Sequence, residues 1–369
     1  MKHLWLVLGL LVSVLSLPSQ AQDFSHMQWT DIVKQAKSEG TVVWYQWFRQ
    51  SRFRQDVKLF EKRYGIRVIV ADGTHNGNFN KFLAERNRSH GSMDVLSLGG
   101  DDVSLFKPQK MLMGPLSKVL PDASKLRYNI QGGDSHGYAV AYWGNQTGIA
   151  YNPAFIKKKD LPQTVQALGA YMKKHPGMVG FNTTHGGSGP SLILSITKNL
   201  ARNINYQKDQ PTPATVEKLK PVWKWFKSHK GQYVITASNS DSMMRLNGGE
   251  FAMVAGWEDL LAALQKEGEV SSKLKFYIPK FKMAGGGNVV TIPKNAPHPA
   301  AALLFVHWLT SAKIQTLFSK KYGSSAQNKD ASSEYSLIPK SQRKYSTDWP
   351  NQSLKNAIIR SYINHVELN

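Results

Sequence analysis

The densest cluster of chemically useful residues is Gly186-Gly187-Ser188-Gly189-Pro190-Ser191. Glycines let a backbone approach a guest closely, and Pro190 suits a first helical position. The free N–H groups of a helix start attract a carboxylate or phosphate, each such contact being worth about 0.3–1 kcal/mol. The same residues brush against a G-x-S-x-G nucleophile elbow. Pro190 stands where the last glycine belongs, however, and no Asp/His pair is marked out to serve Ser188. A tight strand-to-helix turn with a serine cap explains the run equally well. Asn239-Ser240-Asp241, ahead of another predicted helix, is a weaker case of the same kind.

A second set consists of aromatics and acids just past predicted strands. Trp47, Trp143 and Trp257 could stack on a sugar face or a cation, roughly 0.5–2 kcal/mol each, or pack a core. Asp101, Asp102, Glu258 and Asp259 could pair with an amine or accept from hydroxyls. They equally suit helix starts, where an acid helps regardless of any ligand. Arg49, His75, Asn76 and Asn145 complete the set. With Ser188, Gly189 and Ser191, these residues describe an aromatic, polar site carrying both signs of charge. An amine or hydroxyl-rich solute read by Trp257 and the acids, with any anionic group at 188–191, is the expectation.

Other chemistry finds little support. The chain has no Cys, which removes disulfides, thiolate metal sites and Cys nucleophiles. No phosphate-binding G-x-x-x-x-G-K-[ST] loop or dinucleotide fingerprint occurs, and the histidines lack metal-ligand spacing. No cofactor and no metal are expected.

The elements that must position these residues alternate strand and helix. Predicted helices are 29–39, 53–64 ending at Gly65, and 78–88; predicted strands are 41–47, 66–71 and 93–98. The strands are near-continuous apolar runs, the pattern of a parallel sheet covered on both faces. The alternation resumes at 161–175 (helix), 178–181 (strand) and 190–202 (helix). Residues 213–229 read as a helix kinked or split at Pro221. Strands at 251–256, 274–278 and 288–292 follow, the last two on either side of Gly285-Gly286-Gly287. Helices at 298–309, 312–322 and 351–366 complete the pattern, and 323–348 reads as a long loop or a second connection between the halves. Between the two halves lies Tyr138 to Asn152, extended by its period-two Val140, Tyr142, Thr147, Ile149 and Tyr151. Trp143-Gly144-Asn145 interrupts it. A strand crossing between two α/β patterns is a natural hinge.

Lys2 and His3, an apolar run from Leu4 to Leu17 and small residues to Ala21 read as a secretory signal peptide. The run is shorter than the ~20 residues a membrane span needs. A formal net charge of +22 favours anionic surfaces or ligands, but the lysine groups are scattered along helix faces. Lys224-Trp225-Phe226-Lys227 comes nearest to a nucleic-acid patch, yet Val222, Trp225 and Phe226 at helical spacing look like a buried stripe.

Several segments together resemble the extracellular solute-binding proteins of ABC importers. These are Gly249-Glu250-Phe251-Ala252-Met253 with Gly256-Trp257-Glu258, the hinge-like Gly148-Ile149-Ala150-Tyr151-Asn152, and Asn288 to Pro293. The Ala-rich stretch Lys294 to Ala302, with Phe305, Trp308 to Ser311 and Gln315, extends the match. The resemblance implies an α/β, two-lobed type II periplasmic-binding fold with a ligand cleft between the lobes. It is similar to the group that binds polyamines, thiamine, ferric iron, sugars or phosphorylated solutes. Ferric-binding members use adjacent tyrosines, and no Tyr-Tyr pair occurs here. The implied boundaries are a signal peptide at 1–21, lobe 1 at 22–140 plus 283–322, and lobe 2 at 146–277 plus 323–369. Hinge crossings are expected near 141–145 and 278–282. The implied role is a periplasmic monomer that captures a small polar solute and passes it to a membrane permease, served indirectly by its ATPase. The alternatives are a secreted hydrolase-type enzyme or a basic surface or nucleic-acid binder; no nucleic-acid partner is expected.

Overall fold

The structure, a computed structural model, describes residues 23–130 and 133–368. The expected signal peptide lies outside the described residues. Strands β1 (Thr41–Tyr45), β2 (Arg67–Ala71) and β3 (Val95–Gly99) are joined by helices, and β1 pairs parallel with both neighbours. β4 (Asn129–Ile130) and β5 (Gly133–Asp134) form a small hairpin. β6 (Ala139–Tyr151) is followed by β7 (Val179–Asn182), β8 (Val234–Thr236), β9 (Met253–Trp257) and β10 (Lys275–Tyr277). β11 (Met283–Thr291) and β12 (Ser346–Thr347) are the last strands. One sheet runs β2-β1-β3-β11-β6-β9-β7-β8, with β10 added to β6 and β12 to β11.

Two strands therefore belong to both ends of the sheet. The first half of β6 pairs with β11, through Ala139↔Thr291 to Trp143↔Asn288. Its second half pairs with β9, from Thr147↔Trp257 to Tyr151↔Met253. Every residue of β6 except Asn145 is buried. Trp143-Gly144-Asn145 does not interrupt the strand. The carbonyl and N–H of Gly144 pair instead with Ser325, so a third chain segment meets the crossing.

Gly285-Gly286-Gly287 likewise continues β11 rather than separating two strands. The reason is close approach. A Cβ on Gly286 would lie 2.0 Å from Asn145 Oδ1 and 2.6 Å from the Trp257 ring, and one on Gly287 would lie 2.8 Å from the Trp143 carbonyl oxygen. β11 passes from one end of the sheet to the other at these glycines, while Ile278, Phe281, Met283 and Ala284 lie in the second core.

Apolar burial divides accordingly. One cluster gathers Ile32, Trp44, Phe60, Val95, Tyr142 and the helix Pro299–Thr310, which is buried nearly all round. A smaller cluster around Leu96, Leu98 and Phe82 covers the other face of the same strands. The second large cluster gathers Phe181, Ile193, Val222, Phe226, Val254, Leu261 and, from the C-terminal helix Gln352–Tyr362, Leu354, Ile358 and Tyr362. Two α/β lobes result, each with helices on both faces of its part of the sheet. Two predicted helices are each split. Val57 separates Gln50–Asp56 from Lys58–Tyr64, and Pro213–Glu217 ends before Lys220–Ser228, which carries Pro221 in its first turn.

Candidate functional site

The ends of the parallel strands and the crossing surround a cleft made of two connected cavities, of about 510 Å³ and about 1010 Å³. Trp47, His185, Gly186, Gly187, Trp257 and Asn288 border both. Open α/β sheets place ligands at such carboxyl ends, and the sizes suit a small solute.

The first cavity adds Phe48, Arg49, Asn145, Ser238, Asn239, Ser240 and Glu267. Two helices, Ser188–Leu200 and Asn239–Asn247, begin beside it. Arg49 and His185 both adopt left-handed backbone conformations (φ 50° and 53°), uncommon for such residues and concentrated at functional sites. The Arg49 guanidinium lies 5.3 Å from the centre of the Tyr322 ring and donates to the Asp259 carbonyl oxygen at 3.3 Å. Asn145 Oδ1 is buried with no hydrogen-bond partner.

The second cavity adds Thr74, His75, Asn76, Gly99, Asp101 and Pro190. The C-terminal region contributes Trp349, Lys355, Asn356, Ile359, Arg360 and Ile363. Thr74 caps the helix His75–Glu85 by accepting from Gly77 N at 3.1 Å, which fixes His75 at the rim. Its ring meets Trp47 edge-on at 4.6 Å, and its Nε2 lies 2.6 Å from Asp102 Oδ2. Burial works to lower the His75 pKa, but the hydrogen bond and negative charge of Asp102 carry it above the ordinary histidine value. Lys355 Nζ donates to Asp101 Oδ2 at 2.6 Å, tying the C-terminal helix to the end of β3. Arg52 and Glu267 form a second tie at 3.2 Å.

Of the residues singled out from the sequence, Trp47, Arg49, His75, Asn76, Asp101, Asn145 and Trp257 border the cleft. The others are placed differently. Trp143 is fully buried among Phe48, Phe53, Phe318 and Tyr322, with ring centres 5.3–5.9 Å away. Its Nε1 donates at 3.0 Å to Asp259 Oδ2. Asp259 therefore touches the first cavity while its carboxylate faces inward, and burial raises its pKa against the pull of Arg49. Glu258 is also fully buried. Its Oε1 accepts from Ile338 N at 2.8 Å and from Arg343 at 2.9 Å, and burial outweighs Arg343 to push its pKa up to about 7.

Asp102 turns inward and accepts from Gly99 N at 2.7 Å, as an acid at a turn does. Ser188 Oγ lies between Asn182 Oδ1 (3.0 Å) and Asn239 Oδ1 (2.7 Å). Gly189 N donates to Asn182 Oδ1 at 3.1 Å, and a Cβ there would sit 1.7 Å from the Asn182 carbonyl oxygen. Ser191 Oγ accepts from Ala284 N at 3.2 Å and lies 2.6 Å from Thr147 Oγ1. These three hold the helix start against β7 and the crossing, leaving Thr184, His185 and Gly186 as the exposed part of the loop.

Residues that sequence reasoning did not single out are His185, Asn288, Glu267 and the C-terminal wall. The helical spacing of Lys355, Ile359 and Ile363 shows that they share a face, but not what that face meets. Among the described residues, no group of three or more His, Asp or Glu side chains is placed to hold a metal ion. No described helix is long and apolar enough to cross a membrane.

Two lobes closed around a cleft at the strand ends define a binding protein for small solutes. Residues 55–344 match the family model described as bacterial extracellular solute-binding protein, and the chain belongs to that family. A curated relative, Protein YnjB of Escherichia coli (strain K12), is 23% identical over 342 residues, covering 85% of this chain and 84% of that one. Iron-bound HitA from Pseudomonas aeruginosa superimposes with a TM-score of 0.67 at 18% identity, over 87% of this chain and 98% of that one. The periplasmic binding protein AfuA from Actinobacillus pleuropneumoniae, solved with fructose-6-phosphate, gives a TM-score of 0.61 at 19% identity. That match spans 89% of this chain and 99% of AfuA. The chain is thus an extracellular solute-binding protein.

Proposed function

We propose that the solute is small, anionic and hydroxyl-bearing, and that it is captured in the cleft and handed to a membrane permease. The observation that carries this reading is the state of the charges on the walls. Each wall carboxylate is engaged: Asp101 with Lys355, Glu267 with Arg52, and Asp259 with Trp143. Arg49 and Arg360 border the cleft and form no salt bridge among the described residues. An amine would therefore meet cations, while a phosphate or carboxylate would meet Arg49 and the start of helix Asn239–Asn247. Trp47 and Trp257 offer faces to a sugar ring, and Asn145, Asn239 and Ser240 are suited to its hydroxyls. AfuA, crystallised with a phosphorylated sugar, is a relative in fold of the same chemistry.

The reading extends to an exported monomer acting in the periplasm. Its lobes are 23–140 with the segment from the glycine crossing to 332, whose end bonds Lys125 and Thr310, and 146–284 with 333–368. They bend at 141–145 and at the return strand. The protein binds without turnover, so the solute is recovered unchanged. Calorimetric titration with sugar phosphates, hydroxy acids and diamines tests the assignment. A one-to-one anionic ligand whose affinity falls in Trp257→Ala and in Arg49→Ala is expected. Binding of a diamine with no anion binding, or wild-type affinity in both variants, overturns it.

A further inference from the structure

The cleft is longer than one anionic group needs. Its two cavities share Trp47 and Trp257 in their walls, and each has an arginine that forms no salt bridge among the described residues: Arg49, near the buried Asp259, in the smaller and Arg360 in the larger. The larger cavity, about 1010 Å³, is walled by the C-terminal helix, which brings Ile359 and Arg360 to the cleft. A solute with one anionic group would fill the helix-start compartment and leave the second cation and its apolar wall without a role.

Resting on the anionic reading above, we infer that the solute has two anionic ends. One group lies beside Arg49 and the start of helix Asn239–Asn247, the other beside Arg360. A ring body passes between Trp47 and Trp257 and leans on Ile359. The Lys355–Asp101 pair at 2.6 Å holds the C-terminal wall against β3, so the second compartment is formed by both lobes and closes with them. The ligand class is a ring-bodied dianion, of which a sugar bisphosphate is the simplest case.

The test is calorimetry of the full chain with hexose 6-phosphate and with hexose 1,6-bisphosphate, at one pH and one ionic strength. The proteins compared are wild type, Arg360→Gln, and Lys220→Gln on the exposed face of a distant helix. The bisphosphate is expected to bind wild type about tenfold more tightly, the scale of one added hydrogen bond to a charged group. Arg360→Gln should bring the bisphosphate to the level of the monophosphate and leave the monophosphate unchanged. Lys220→Gln should change neither. Equal affinities for the two phosphates in wild type, or equal losses for both in Arg360→Gln, overturn the two-ended solute while leaving the anionic reading intact. An equal loss in Lys220→Gln shows general charge attraction and also overturns it. If neither phosphate binds wild type, the anionic reading itself falls.

Discussion

Trp143 and Trp257 stand on neighbouring strands of the same sheet, yet their surroundings differ in kind. Trp143 lies under four other rings and spends its indole N–H on Asp259. Trp257 is half-buried, borders both cavities and has Trp349 as its ring neighbour at 6.4 Å. The same contrast separates Glu258, sealed beneath Arg343, from Asp101 at the rim. At the crossing the aromatics and acids are buried and bonded to the interior, Trp143 to Asp259 and Glu258 to Arg343. On the walls the comparable tryptophan stays half-exposed beside both cavities, while Asp101 is paired with Lys355 across the cleft rim.

The contrast breaks first if the crossing tolerates change. Trp143→Ala is expected to cost about 3–5 kcal/mol of stability, as deletion of a fully buried aromatic does. Denaturant unfolding followed by circular dichroism would show it, and a loss under ~1 kcal/mol would remove Trp143 from the packed core of the crossing.

Glu258 gives the next largest effect. Its pKa rises on folding from 4.5 to about 7, so the native state holds the proton more tightly than the unfolded chain. The stability this contributes is present below about pH 4.5 and is lost as pH rises through 7, a change on the order of 3 kcal/mol. The unfolding midpoint should fall between pH 5 and 8, and the slope should flatten in Glu258→Gln. An unchanged slope in that variant assigns the pH dependence elsewhere.

On the walls the pattern should reverse. Trp257→Ala is expected to weaken solute binding by roughly 1–2 kcal/mol through lost ring contact, with stability changed by less than that. A titration in which binding survives but the fold weakens would make Trp257 a packing residue like Trp143. The smallest effect belongs to Asp101→Asn. The pair is only partly exposed, with side chains 20% and 16% exposed, but Asn still accepts from Lys355, so the variant should cost about 1 kcal/mol of stability. It should open the lobes in small-angle scattering.

The crossing was legible because β6 carries period-two β-branched and aromatic residues between two helix-and-strand patterns. β11 was only half legible. Three consecutive glycines read as a breaker, and only the packing of Asn145, Trp143 and Trp257 against them shows why a strand needs them. On the site, strand ends led to Trp47, Arg49, His75, Asn145 and Trp257, because the sheet itself dictates where its carboxyl ends open. Depth was not legible: an acid after a strand looks the same in sequence whether it meets a solute or, like Glu258, an arginine in the interior. The C-terminal wall was missed because its place depends on where the chain returns after a long loop.

Native mass spectrometry of protein taken from a cell extract without refolding tests the central claim most directly. The account predicts one small molecule on the wild type, carried equally by Lys220→Gln and absent from a Trp47→Ala/Trp257→Ala double variant. The same adduct retained by the double variant would place the solute outside the cleft and contradict the account.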